Sequence, residues 1–383
     1  MKRDPIVSRP LIKMQRHLRT PVLFSLKIMA DKSCSVRKNS VAIDGCTRNE
    51  QLLSPIRIGR HVIEDPVLLA PMAGITDAPF RKAVRKFGAG LVVSEMIASQ
   101  ELVTNRFDVR AKAEITSSDG LMSVQIAGRE ATWMAQAARM AEANGAEIID
   151  INMGCPAKKV TSGYAGSALM RDLDHALTLI DSVVKSVEIP VTLKTRLGWD
   201  DAALNAAELA KRAEDAGVQM IAVHGRTRCQ FYKGRANWSA VAAAKAAVSI
   251  PVIVNGDVTD ARSAKEALKL SGADGVMVGR GAQGQPWVVS QIATELKGQV
   301  FQEPSASEKR DLFLEHYSSM LDHYGVELGV RCARKHLGWM LDRRPEAAGM
   351  RAKLLRETDP ERVVSQIKAV FETTHVAPTR EAA

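Results

Sequence analysis

The sequence predicts an α/β protein, a (β/α)8 barrel of the TIM type followed by a smaller C-terminal all-α helical domain. Three observations predict it. Eight short apolar runs alternate with helical patterns between residues 67 and 279, most runs are apolar throughout, and the residues that close them turn polar together. Strands covered by helices on both faces of a parallel sheet read this way, and eight such units in about 245 residues match the size of that barrel. A doubly wound open sheet is the alternative arrangement of the same units.

The predicted strands in order are "VLLA" (67–70), "LVVS" (91–94), "LMSVQIA" (121–127), "EIIDIN" (147–152), "PVTLK" (190–194), "MIAVH" (220–224), "PVIVN" (251–255) and "GVMVG" (275–279). Between them the period is helical. Met134, Ala137, Ala138 and Ala141 form one apolar stripe, and Ala206, Leu209, Ala210 and Ala213 another. Gly88, Gly145, Gly217 and Gly272 stand just before strands, where a helix ends in a left-handed backbone.

Four segments follow from this pattern: a basic leader at 1–50, the barrel at 51–302, a helical domain at 303–375 and a tail at 376–383. The whole 383-residue chain carries a formal charge of +10, yet residues 1–49 hold 11 Lys+Arg against 3 Asp+Glu. The leader's mixed, aperiodic composition predicts a disordered tail, with an RNA-binding arm as the alternative. It is Arg-rich and acid-poor like a transit peptide but lacks amphipathic periodicity, and Met29 is an alternative start.

Cys34, Cys46, Cys155, Cys229 and Cys332 form no C-x-x-C pair. The chain therefore predicts no disulfide framework, no zinc or iron-sulfur site, and a reducing cytoplasm. Its apolar runs fall well short of the roughly 20 residues a membrane span needs, so no membrane is expected.

Active sites of such barrels lie at the carboxyl ends of the strands. There this sequence places Pro71 and Met72, Glu95, Gln125, Asn152, Lys194 and Arg196, His224 and Arg226, Asn255 with Asp257, and Gly279 with Arg280. "GRGAQG" (279–284) reads G-x-G-x-x-G, but it follows the eighth strand, whereas a dinucleotide fingerprint opens the first unit. With "VNGD" (254–257) it reads as a phosphate cradle with Arg280 as a charged donor; the alternative is glycines that only close tight turns.

Lys194 ends an apolar strand, where an ammonium is costly without a partner. A Schiff-base lysine and a salt-bridged lysine are both compatible with this position. Beside a phosphate cradle, the preferred reading is a cation facing the carbonyl edge of a flavin, with Gln125 bonding the same ring and the backbone of Pro71 to Ala73 lining its edge. Cys155 sits in "DINMGCPAKKV" (150–160) at a strand end, within the ring of strand-end residues, where a lone thiol invites a functional reading. An inert buried thiol and a thiolate nucleophile are the alternatives, the latter lacking a local base.

The segment from about 305 reads as helices, opened by a capping box at Ser305 and Glu308. Leu312, Tyr317, Met320 and Leu321 mark a buried side. Arg331, Arg334 and Lys335 share one helix face, with Arg343 and Arg344 following. Residues 305–375 hold 12 basic against 11 acidic residues, so only a local stripe favours RNA, and a solvated salt-bridged helix is the alternative.

The blocks "LLAPMAGITDAPFR", "VQIAG", "DINMGCPAKKV", "GSALM", "PVTLKTRLGW", "HGRTR", "IPVIVNGDV" and "ADGVMVGRGAQGQPW", with "RCARKHLGWML" (331–341), resemble the tRNA-dihydrouridine synthases, the bacterial B subfamily most closely. The resemblance runs from about residue 55 and excludes the leader. It implies a flavoenzyme that reduces uridine in tRNA, with FMN held by Pro71, Met72, Ala73, Gln125, Lys194, Asn255, Gly256, Asp257, Gly279 and Arg280. It also implies Cys155 as proton donor and NADPH or NADH as reductant. His224 joins the cofactor-facing residues from its place among the strand ends. Asn152, Lys158, Lys159, Arg196, Arg226, Arg331, Arg334 and Lys335 are the expected tRNA contacts.

The chemistry suits a thiol. Reducing the 5,6 bond of uracil takes a hydride at C6 and a proton at C5, and a free thiol, titrating near about 8.5, is mostly protonated at neutral pH. A barrel flavoprotein acting on a free pyrimidine and a noncatalytic RNA-binding protein are the other function classes.

Overall fold

The computed structural model describes residues 53–104 and 120–372; the basic leader with Met29, and the tail, lie outside the described residues. A hairpin of β1 (Ile56–Ile58) and β2 (His61–Ile63) comes first, antiparallel with Ile56 opposite Ile63. The barrel strands are β3 (Val67–Leu69), β4 (Leu91–Val93), β6 (Met122–Ala127), β7 (Ile148–Met153), β8 (Val191–Arg196), β9 (Ile221–His224), β10 (Val252–Asn255) and β11 (Gly275–Val278), with a two-residue β5 (Ile97–Ala98) before β6. All their pairings are parallel, and the β4–β6 pair closes the sheet into a barrel. The open-sheet alternative is thereby excluded.

The second strand unit is split. β4 pairs with the start of β6 and β5 with its end, Ile97 opposite Ile126. Across the break, the Ser94 N–H donates to Ser123 O at 2.9 Å and the Ser94 hydroxyl accepts from the Gln125 N–H at 2.9 Å. The side chain thus replaces a ladder bond that the interrupted backbone no longer makes.

Alternation along the strands sorts residues into two layers. Val67, Leu69, Ile149, Ile151, Leu193 and Val254 face the helices, against stripes such as Met134, Ala137, Ala138 and Ala141. Leu68, Leu91, Ile148, Met220, Ile253 and Met277 point inward and form a separate apolar cluster with Ile56, Ile58 and Ile63 of the hairpin. The hairpin therefore plugs the amino end of the barrel. Further along the same inward faces the residues are Gln125, Asp150, Asn152, Thr192 and Lys194, all buried. The four predicted cap glycines carry positive φ, from +62° at Gly272 to +103° at Gly217.

The helices Ala306–Tyr324 and Val326–Asp342 pack together around Leu312, Phe313, Tyr317, Met320, Val330, Leu337 and Met340, joined by Ala83 and Trp287 of the barrel's own helical layer. The capping box is present, with Glu308 accepting from the Ser305 N–H at 2.8 Å. Lys82 and Lys86 reach Glu315 at 3.2 and 2.8 Å, and the Tyr324 hydroxyl donates to Asp77 at 2.9 Å.

Gly284, the last glycine of "GRGAQG", has φ +72°, and a Cβ there would overlap the Trp339 carbonyl oxygen. Its smallness lets the loop after β11 dock against the helix Val326–Asp342. Replacing Gly284 with Ala is expected to lower stability by about 1–3 kcal/mol, read as a lower denaturant midpoint, because both the backbone angle and the close approach resist a side chain.

Candidate active site at the barrel mouth

A cavity of about 570 Å³ opens at the carboxyl ends of the strands. Its wall includes Pro71, Met72, Gln125, Asn152, Cys155, Lys194, Arg196, His224, Arg226, Asn255, Asp257, Gly279 and Arg280, with Ala73 and Gly256. These are all the residues assigned from the sequence to the thiol and the cofactor, together with three of those assigned to substrate. The exposed Lys158 and Lys159 stand on the short helix Lys158–Thr161 beyond the thiol loop, outside this wall. Arg331, Arg334 and Lys335 lie on the helix Val326–Asp342, also outside it. Lys335 reaches the loop after β3, since a Cβ on Gly74 would stand 3.6 Å from its Nζ.

Each inward side chain is held by another. Lys194 is only 8% exposed and donates to Asn255 Oδ1 at 3.0 Å, while Asn255 Nδ2 donates to Met277 O at 2.8 Å. Asn255 thus orients the lysine. Burial, with Arg196 nearby, lowers the Lys194 ammonium to about 8. An ammonium has three donors, and the single bond to Asn255 leaves capacity for an acceptor in the cavity.

Arg196 is committed to the protein. Its Nε donates to Gly154 O at 2.7 Å, and one terminal nitrogen donates to Thr227 O at 3.0 Å and Phe231 O at 2.8 Å. It thereby ties the thiol loop to the loop after β9. Arg226 donates to Lys233 O, Gly234 O and, at 2.6 Å, Asp257 Oδ2. Both arginines brace loops through backbone carbonyls, and their cationic charge remains at the cavity wall.

His224 accepts: Arg226 has only donors, so its 3.3 Å contact with His224 Nε2 assigns the imidazole proton to Nδ1. Burial, followed by the charges of Lys194, Arg196, Arg226 and Arg280, pushes His224 well below the usual histidine value. The ring is neutral at physiological pH. For Asp257, burial raises the carboxyl, but hydrogen bonds from Arg226 and the Ala236 N–H outweigh it and hold it below the ordinary carboxylate value.

Three further residues of the site were not assigned to it by sequence. Asp150, fully buried below the cavity, accepts from Thr192 and Gln125. Tyr232 lines the wall, with the guanidinium carbons of Arg196 and Arg280 each 5.4 Å from its ring centre. Arg343, from the end of the helix Val326–Asp342, also lines the wall, and its Nε donates to Gln283 O at 3.1 Å. For Asp150 the signal was parity, because it shares an inward face with Asn152. For Arg343 no local signal exists, since the contact depends on how the helical segment docks.

Among the described lining residues, Lys194, Arg196, Arg226, Arg280 and Arg343 oppose a single carboxylate, Asp257. Such a wall selects an anionic ligand. The buried donors of Lys194, the neutral His224 and the cationic rim fit a planar heterocycle carrying a phosphate. Among the described residues no group of His, Cys, Asp and Glu is placed to hold a metal.

A family model described as dihydrouridine synthase matches residues 68–375. The chain is 59% identical over 317 residues to a probable tRNA-dihydrouridine synthase of Rhodobacter capsulatus, covering 82% of this chain and 97% of that protein. It is 44% identical over 320 residues to tRNA-dihydrouridine synthase B of Pseudomonas putida, covering 83% and 95%. Among solved structures, histamine dehydrogenase from Rhizobium sp. 4-9 superimposes with a TM-score of 0.50 at 14% identity, over 70% of this chain and 51% of that one, a likeness of fold.

The buried lysine makes stability depend on pH. The folded chain binds the Lys194 proton less tightly than the unfolded chain, so stability rises from about pH 8 toward the ordinary lysine value of 10.5, and the full burial penalty is present below that window. Lys194→Met is expected to stabilise the flavin-free protein at pH 7 by on the order of 2–3 kcal/mol, an advantage that narrows as the pH approaches 10. Denaturant titrations at the two pH values measure it.

Proposed function

This chain belongs to the dihydrouridine synthase family, and on that premise we propose that it reduces the 5,6 double bond of uridines in tRNA, using FMN as cofactor and NADPH as reductant. One observation carries the reading: Cys155 and the buried ammonium of Lys194 line the same cation-rich cavity. A thiol, a cation with spare donors and a cationic rim are the parts that reduction of a pyrimidine in a phosphate-bearing polymer requires.

The residues divide the work. Lys194 would hold a carbonyl edge of the flavin by charge and hydrogen bond, and Gln125 would bond the same ring. Pro71, Met72 and Ala73 would line the ring edge, while Asn255, Gly256, Asp257, Gly279 and Arg280 would hold the phosphate end with the neutral His224. A bound, reduced flavin would supply the hydride that the reduction needs. Cys155 gives its proton to C5, forming the second C–H bond and leaving a thiolate that solvent reprotonates. NADPH would reduce the flavin first, and tRNA would then occupy the same mouth.

The target base leaves its stack to enter the cavity, at a cost of a few kcal/mol that a loop nucleotide reduces. Lys158 and Lys159 beside the thiol loop, together with Arg331, Arg334 and Lys335 on the helical segment, neutralise neighbouring phosphates. We assign tRNA docking to the helical domain at 303–375 and catalysis to the barrel at 51–302. Among the described residues no helix is long and apolar enough to cross a membrane, and a cytoplasmic location suits the substrate.

Cys155→Ala is expected to retain flavin binding and NADPH oxidation and to lose uridine reduction; unchanged reduction removes the thiol from the mechanism. Mass spectrometry of tRNA from a strain lacking the gene is expected to show loss of the two-hydrogen mass gain at particular uridines. A free-pyrimidine reductase would leave the tRNA unaltered. Replacing Arg331, Arg334 and Lys335 together by Ala is expected to weaken tRNA binding at low salt and to flatten its salt dependence by about one log-log unit for each phosphate that is no longer neutralised, with flavin content unchanged.

A further inference from the structure

Beneath the cavity, a buried hydrogen-bond relay runs from β8 to the thiol loop. Thr192 Oγ1 donates to Asp150 Oδ1 at 2.6 Å, and Gln125 Nε2 donates to Asp150 Oδ2 at 2.6 Å. Asn152 Nδ2 donates to Gln125 Oε1 at 2.7 Å. Asn152 Oδ1 then accepts from the backbone N–H groups of Gly154 at 3.2 Å and Cys155 at 3.0 Å. Asp150 is 3% exposed, and Gln125 is fully buried.

An amide can face either way, and a carboxylate can only accept. With Asp150 ionised, Gln125 must turn its NH2 to the acid and its carbonyl to Asn152. Asn152 must then turn its NH2 to Gln125 and its carbonyl to the thiol loop, whose N–H groups need an acceptor. Each NH2 keeps one hydrogen, and both amides line the cavity, so the wall offers donors to a bound carbonyl. Reversing the first amide alone would set its NH2 against that of Asn152 and its carbonyl against the acid, and reversing both would leave the Gly154 and Cys155 N–H groups without their acceptor.

We infer that Asp150 is a positioning residue: it sets the direction of the Gln125–Asn152 relay, and through it the donor pattern facing the ligand and the placement of the Cys155 loop. Thr192 supports Asp150 from the other side. The inference rests on the proposed uridine reduction for its activity readout and on the fold alone for its second readout. Burial raises the Asp150 carboxyl, and bonds from Thr192 and Gln125 and the charge of Lys194 offset part of that rise; the accepting role rests on the donors placed at both of its oxygens.

The test compares Asp150→Ala, Asp150→Asn, Thr192→Val and the double variant Asp150→Asn with Thr192→Val in the full chain. Three quantities are read: the flavin dissociation constant, kcat for uridine reduction, and the rate at which iodoacetamide alkylates Cys155, followed by peptide mass spectrometry. Asp150→Ala leaves the Gln125 amide without its anchor, and kcat and flavin affinity are expected to fall by about tenfold or more, the size of one unpaired buried polar group. Cys155 alkylation is expected to change several-fold. Asp150→Asn can still turn its carbonyl to Gln125 while its NH2 donates to the Thr192 hydroxyl, so it is expected to stay near wild type.

Removing that hydroxyl takes away the reason for the amide to face the right way. The double variant is therefore expected to fall toward Asp150→Ala, although Thr192→Val alone stays near wild type. The idea is overturned if Asp150→Ala matches wild type in kcat and alkylation and differs only in melting temperature, as a purely structural acid would. A double variant as active as Asp150→Asn overturns it too, and that comparison decides the matter if Asp150→Ala does not fold. Should wild type neither bind flavin nor reduce uridine, the functional reading fails, and the alkylation rates alone judge the relay.

Discussion

The controlling constraint is the narrowness of a closed eight-stranded barrel. Its interior holds side chains and little else, so residues that point inward at one level are forced into contact. At the amino end that level is apolar, and the Ile58 and Ile63 side chains of the hairpin complete it with Leu68, Leu91 and Ile253. One level up the same inward positions carry Asp150, Thr192, Gln125, Asn152 and Lys194. Groups of this kind are tolerated in a dry interior only when hydrogen-bonded, and here each is, Lys194 through Asn255 and the other four to one another. The change of level from apolar to polar fixes where the floor of the cavity lies.

From that floor the electrostatics follow. Lys194 bonds to an amide, Asn255, and so keeps its charge directed at the cavity. The arginines above it are held by backbone carbonyls, which orient a guanidinium without cancelling it. Asp257 alone offsets them, and its φ of +55° shows a backbone bent to bring the carboxylate between Arg226 and Arg280. A site built in this way stays cationic while remaining rigid, the condition for holding an anion in one orientation.

Much of this was legible in the sequence, for reasons that differ between elements. The eight strands are visible because double coverage makes them apolar throughout, and the cap glycines because a left-handed residue after a helix is chemically restrictive. The strand-end residues are legible because polar groups interrupt those apolar runs at one phase. The hairpin Ile56–Ile63 is harder to see, being two three-residue strands with one buried face. Asp150 is concealed inside "EIIDIN", which reads as an apolar run until alternate residues are separated. Asn152, Arg196 and Arg226 are identified as polar strand-end groups, but their sequence positions do not reveal that their bonds go to neighbouring loops.

The helical segment belongs in the same physical picture because it completes the cavity. Gly284 fits the loop after β11 against the Trp339 carbonyl, and Arg343 Nε bonds Gln283 of that loop from above. The loop carrying Arg280 is thus clamped between the barrel strand that precedes it and the helix Val326–Asp342. Arg343 reaches the cavity wall only because that helix ends there. Any force that shifts the helix acts on Gln283 and Gly284 first, three and four residues from Arg280. The segment bearing Arg331, Arg334 and Lys335 and the cationic end of the cavity are therefore joined through the same short loop.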